Sequence, residues 1–189
     1  MQNLSAQATE YAPKEIRVGT NQCRIARSGE RLVARAVLDD VVVTVQVPSV
    51  GFAAMLRFGA SPDAEISSPR LDALRDFADQ ALAMILESIQ SIDIPAGAIR
   101  VSAIGGADIG GNQMASVVRE ILEQHGVVLN GSDLGGMQTR GIWLDSSSGR
   151  LIVRSTNGSP ASVPSRARQQ AVVFQVVPEP PQIPTLSSR

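Results

Sequence analysis

One thiol and one imidazole, Cys23 and His125, are the whole supply of strong nucleophile and tunable base in this sequence. Together such groups can hydrolyse an amide: a thiolate attacks the carbonyl carbon, and an imidazole activates the thiol and protonates the leaving nitrogen. Having one of each excludes an internal disulfide, a cysteine-cluster zinc site and any paired-histidine motif. Lys14 is the only lysine and lies in a polar stretch, so no Schiff-base lysine is expected. Asp39 and Asp40 are adjacent, and neighbouring strand residues point to opposite faces, which disfavours a shared metal or an acid–base pair unless the chain turns there. The glycine cluster GGADIGG (105–111) follows a strand pattern and opens a helix pattern. It matches neither G-x-G-x-x-G nor a P-loop, so it reads as a strand-to-helix turn, and neither cofactor nor metal is expected.

The surroundings of Cys23 and His125 favour structure over catalysis. Cys23 falls inside an N-terminal strand pattern, where a thiol behaves as a small buried hydrophobe. His125 stands one residue before Gly126 at the end of a helix pattern, a place where histidine caps the last carbonyls and suits the negative end of the dipole. As an alternative, the two could form a dyad if the fold brought them together.

The elements that must position these residues are legible in the apolar pattern. Residues 1–15 read as a flexible leader. Strand-like runs then extend to Val47, the last of them (VVVTVQV) rich in β-branched residues suited to a buried strand. After Pro48-Ser49 comes VGFAAMLRF. Ser67-Ser68-Pro69 signals a helix start. Leu71, Leu74, Ala78, Ala81, Leu82, Ile85, Ile89 and Ile92 then follow core-facing helical spacing over about 69–92. AIRVSAI (98–104) is a strand, and a helix over about 113–125 follows, capped by Asn112 and stopped by Gly126. VVLNGSDLGG reads as a short strand and turn, and GIWLDSSSGRLIVR as a hairpin. The domain therefore runs over 16–156, with a Ser/Pro/Arg-rich segment and tail over 157–189 that contains one strand candidate, 171–177. The class is α/β, an α+β sandwich of mixed β-sheets flanked by helices.

Length and composition bound the rest. A chain of 189 residues has the size of one domain and a sizeable core. A net charge of −1 and 3% aromatic residues give no footprint for nucleic acid and no polybasic membrane patch. The first 15 residues lack a signal-peptide pattern, and no stretch approaches the ~20 apolar residues of a membrane helix, so a cytoplasmic protein is expected.

In order and spacing, four motifs resemble the CheD family of chemoreceptor glutamine deamidases: AIGGAD (103–108), IGGNQ (109–113), DLGGMQTR (133–140) and SGRLIVR (148–154). The resemblance extends over about Ile16 to Arg154 and implies that family's fold. The family also has a nucleophilic cysteine in "LGSC", a strand, a turn, and a histidine base in "GMAH". The corresponding stretches are Leu38-Asp39-Asp40-Val41 and Gly51-Phe52-Ala53-Ala54. On that alignment Val41 stands in the cysteine slot, Ala54 in the histidine slot, and Arg35 where the family has a supporting threonine. The two aliphatic slots are expected to lie side by side.

The resemblance therefore implies a degenerate member, a pseudoenzyme that keeps the fold and acts as a binding or regulatory module. The partners it implies are the cytoplasmic helices of chemoreceptors or a CheC-type phosphatase. Gly105, Gly106, Asn112, Asp133, Gly135, Gly136 and Arg140, in the glycine-rich turns, are candidates for partner contact or for turn geometry alone. The alternative is an active glutamine deamidase with a relocated Cys23/His125 dyad.

Overall fold

In a computed structural model, the described residues are 12–59, 68–92, 94, 95, 97–107, 113–156 and 170–174. They form two five-stranded sheets and two long helices, the mixed-sheet α+β architecture expected from the sequence. The strands are β1 (Lys14–Arg17), β2 (Gln22–Ala26), β3 (Glu30–Val37), β4 (Val41–Val47), β5 (Phe52–Phe58), β6 (Arg100–Gly105), β7 (Gly131–Leu134), β8 (Thr139–Asp145), β9 (Leu151–Thr156) and β10 (Gln170–Phe174). The helices are α1 (Ser68–Gln90) and α2 (Gln113–Gln124). Sheet one has the order β1-β3-β8-β9-β10 and sheet two the order β2-β5-β4-β6-β7. Pairing is antiparallel except for β1–β3 and β6–β7.

The layering follows from alternation along β4 and β5, which are buried from end to end. Val41, Val43, Val45 and Val47 with Phe52, Ala54, Leu56 and Phe58 face the helices. They meet Leu74, Ala78, Leu82, Ile85 and Ile89 of α1 and Val118, Ile121 and Leu122 of α2. Their alternates Val42, Ala53 and Met55 face sheet one, against Leu32, Ala34, Ile142, Leu144, Leu151 and Val153. Sheet two is thus sandwiched between helices and sheet one. That explains two seven-residue strands whose only polar members are Thr44, Gln46 and Arg57.

Several boundaries differ from the sequence reading. β1 begins at Lys14, inside the expected leader, because it pairs in parallel with Glu30–Val33 of β3. VVL at 127–129 is not a strand: Val127 N–H donates back to Leu122 O at 2.8 Å, closing α2, and the strand comes later, as Gly131–Leu134. The C-terminal strand is Gln170–Phe174, antiparallel to β9. Asn112 and Ser67, the expected helix caps, lie outside the described residues, as do 175–189 of the tail. Among the described residues no helix is long and apolar enough to cross a membrane.

Candidate functional site

The β4–β5 hairpin fixes where the two slots fall. Its register pairs Val41 with Phe58 and Ala54 with Val45. Val41 and Ala54 share the helix-facing side, yet they stand four register positions apart, about 14 Å at strand rise. They do not meet, contrary to the sequence expectation. The reason is geometric: a hairpin turning at Pro48–Gly51 carries a residue at 41 opposite 58, not 54. Both side chains are fully buried in the helix-facing core.

At the Val41 end of the hairpin, a different pair is assembled. Asp40 and Arg57 are 7% and 9% exposed and bonded to each other, with Arg57 Nε donating to Asp40 Oδ2 at 2.6 Å. Thr20 Oγ1 donates to the same oxygen at 2.8 Å. The rest of the guanidinium is satisfied by carbonyls: Arg35 O at 2.9 Å, Ala36 O at 3.4 Å and Val18 O at 3.5 Å. The Arg35 and Ala36 carbonyls are free because β3 is irregular between Ala34 and Val37, where Ala36 takes a left-handed φ of 53°. Arg35 enters through its backbone oxygen, while its side chain is exposed and pairs with Glu15. Asp39 is half-buried, and its Oδ1 has no hydrogen-bond partner among the described residues. Burial, then the neighbouring Asp40 charge, raises its carboxyl above the ordinary range.

The glycine turns pack around this pair. Gly106 N–H donates to Asp40 O at 2.8 Å. Gly105 has φ +107°, and a Cβ there would sit 2.2 Å from that same carbonyl, so only glycine fits. Gly135 N–H in turn donates to Gly105 O at 2.9 Å. Asp133, Gly135, Gly136 and Arg140 form one turn. Arg140 is 3% exposed and grips Asp133 with two bonds, Nε to Oδ2 at 2.9 Å and Nη2 to Oδ1 at 3.0 Å. It also donates to Gly135 O at 2.7 Å and Gln138 O at 3.1 Å. A bidentate arginine with further carbonyl partners is a rigid clamp. It sets the shape of the turn and leaves Met137 63% exposed at its tip.

The structure does not bring Cys23 and His125 together. Cys23 is on edge strand β2, opposite Leu56 of β5, and packs half-buried against the helix-facing core. His125 lies just past α2, lining a cleft with Val101 of β6 and Asn130, three strands across sheet two from β2. Its Nε2 is 2.8 Å from Asp79 Oδ1 of α1, so the ring ties the two helices together instead of capping α2. Burial pushes the Cys23 thiol up to about 11, only partly opposed by Arg24. A thiol so shifted holds far less thiolate at pH 8 than an ordinary one. Greater nucleophilicity of the rare thiolate offsets part of that deficit. Cys23 is therefore expected to react with iodoacetamide about tenfold more slowly in the native chain than in urea, measured by mass at pH 8.

Residues 62–155 match the family CheD, chemotactic sensory transduction. The chain is 32% identical over 90 residues to a probable chemoreceptor glutamine deamidase CheD of Haloarcula marismortui, covering 43% of this chain and 52% of that one. It thus spans about half that relative's length. It is 26% identical over 163 residues to a probable chemoreceptor glutamine deamidase CheD of Solibacter usitatus, covering 80% of this chain and 95% of the other. Among solved structures, the C-terminal domain of CNFy from Yersinia pseudotuberculosis aligns with 85% of this chain at 8% identity and TM-score 0.35.

Proposed function

The chain belongs to the CheD family through residues 62–155, and from that premise we propose that it is a cytoplasmic, catalytically silent CheD-type protein that binds partners of chemotaxis signalling without deamidating them. One observation carries the reading. The end of the β4–β5 hairpin, next to the slot where the family resemblance puts a nucleophile, holds the Asp40–Arg57 ion pair, and no thiol or imidazole lies there. Deamidation needs a thiolate near the amide carbon and a proton donor for departing ammonia. A carboxylate locked by a guanidinium supplies neither, since arginine stays protonated.

The partners are chemoreceptor cytoplasmic helices or a CheC-type phosphatase. The contact residues are drawn from the turn that Arg140 clamps and from the Gly105–Gly106 turn beside it, with Met137 presented at the tip. Two measurements test the proposal. Pull-down with receptor cytoplasmic fragments and with CheC-type proteins is expected to retain one of them, and Met137→Asp is expected to weaken that retention. Ammonia release from the same receptor fragments is expected to stay at background. Turnover that vanishes in Cys23→Ala would establish the alternative, an active deamidase using Cys23 and His125.

A further inference from the structure

The connection between α1 and β6 is apolar where a solvated loop would be polar. It reads SIDIPAGAI over 91–99, and its Ile92, Ile94 and Ile99 are half-buried. These isoleucines line a cleft of about 860 Å³ together with Leu86 of α1, Val101 of β6 and Val127 of the α2–β7 connection. Small-molecule sites span roughly 300–1,000 Å³ and are mostly apolar, with a few placed polar groups. The cleft lies at the opposite end of β6 from the Asp40–Arg57 pair: Gly105 is opposite Val41 of β4, whereas Val101 is opposite Val45.

Two polar groups of the lining have a fixed hydrogen-bonding sense. His125 Nε2 lies 2.8 Å from Asp79 Oδ1. The carboxylate accepts, so in the neutral ring Nε2 carries the proton and Nδ1 is left as a bare acceptor. Asn130 Oδ1 accepts from Val101 N–H at 2.6 Å, which leaves the Asn130 NH2 group as a donor. Neither that NH2 nor His125 Nδ1 has another partner among the described residues. The other polar side chains on the lining, Gln90 and Ser91, are exposed. No acidic, guanidinium, ammonium or aromatic side chain lines the cleft among the described residues. We propose that this cleft binds a small neutral amide with an aliphatic chain: its N–H matches the His125 acceptor, its carbonyl the Asn130 donor, and its chain the isoleucines.

The chemistry of the lining selects that ligand. A carboxylate would find no free cation, because the one titratable group on the wall, His125, already faces Asp79. An ammonium would lose its hydration against aliphatic walls with no carboxylate to replace it. An aromatic ligand would have no ring to stack on. An alcohol carries its donor and acceptor on one oxygen, whereas the cleft presents them on two separate residues. An amide carries them on separate atoms, nitrogen and oxygen.

His125 is the only histidine, so its imidazole resonances report this site alone. In the full chain at pH 8, proton–nitrogen spectra of the ring are expected to show the Nε2–H tautomer. Hexanamide is expected to move those resonances saturably, with hexanoate, hexylammonium and hexanol each binding about tenfold more weakly or worse. From butanamide to hexanamide, affinity is expected to rise about fourfold per methylene, the gain from burying each one. Two variants are followed on the ligand's own resonances, with unfolding midpoints to show that each is folded. His125→Phe keeps a ring but removes the acceptor, and is expected to weaken hexanamide about tenfold. Val128, on the lining and 77% exposed, tolerates substitution without touching the core. Val128→Asp is expected to weaken hexanamide about threefold or more. The Nδ1–H tautomer, no shift with hexanamide, or an equal response to any of the other three head groups overturns the proposal. So does a flat chain-length series, unchanged affinity in the folded variants, or a dimer that already covers His125 without ligand.

Discussion

Arg57→Ala is expected to destabilise the protein by about 3–5 kcal/mol, because it strands Asp40 as a buried charge with no counter-ion. Asp40 is 7% exposed, and after the loss of Arg57 only Thr20 Oγ1 and backbone contacts remain to it. Three backbone carbonyls, those of Val18, Arg35 and Ala36, also lose their donor. The double variant Asp40→Asn/Arg57→Met is expected to be far milder, with a neutral amide that Thr20 can still bond and an aliphatic stem filling the guanidinium's path. Urea unfolding of both variants checks this. A midpoint for Arg57→Ala equal to that of the parent would mean that water reaches the pair and screens it. The contrast between single and double variants matters more than either value. It separates the penalty of an orphaned charge from the net worth of the ion pair.

The sequence carries a signal for this pair. Between Val41 and Phe58 the only charged residue is Arg57, set in the apolar run FAAMLRF. A charge on a strand buried on both faces requires a partner, and the adjacent Asp39-Asp40 offered two. Strand alternation does not govern Asp39 and Asp40, because the chain turns there. They lie in a bend before β4, where Asp40 is buried against Arg57 and Asp39 is half-buried. The helices were readable because each has a stripe at helical spacing, and the layers followed from which strands lack alternation. Strand order and register were not readable, since they depend on pairings between distant segments such as β3 with β8. That is also why the Val41 and Ala54 slots were expected to meet. Spacing in a sequence alignment does not reveal which residues face each other across a hairpin.

The register makes a sharp distinction between two ways of installing a thiol and an imidazole. Val41→Cys/Ala54→His, the substitution the alignment suggests, is expected to yield no dyad. The side chains would start about 14 Å apart, and both would be buried among aliphatic neighbours with no polar partner. Asp40→Cys/Arg57→His, made in a Cys23→Ala background, has different geometry. Histidine Nε2 is as many bonds from its Cβ as arginine Nε, which now sits 2.6 Å from Asp40 Oδ2. Cysteine is one bond shorter than aspartate, so sulfur and nitrogen fall within reach of a weak hydrogen bond, with the Thr20 hydroxyl close by. Next to an imidazolium, a thiol's pKa drops to about 7.5 or below, against about 11 for Cys23. Part of the thiolate gain is offset by lower nucleophilicity, leaving an expected rise of at least tenfold in iodoacetamide reactivity at pH 7 relative to Cys23 in the parent. The rate measured against pH is the decisive reading. A midpoint below about pH 7.5 shows thiolate–imidazolium pairing, and a midpoint at or above the ordinary thiol value of about 8.5 shows that the two groups do not meet. Ammonia release from receptor fragments is expected to remain far below that of an active deamidase even so. The adjacent Asp39 carboxyl opposes a thiolate, and the pair holds no group placed to bind a glutamine amide.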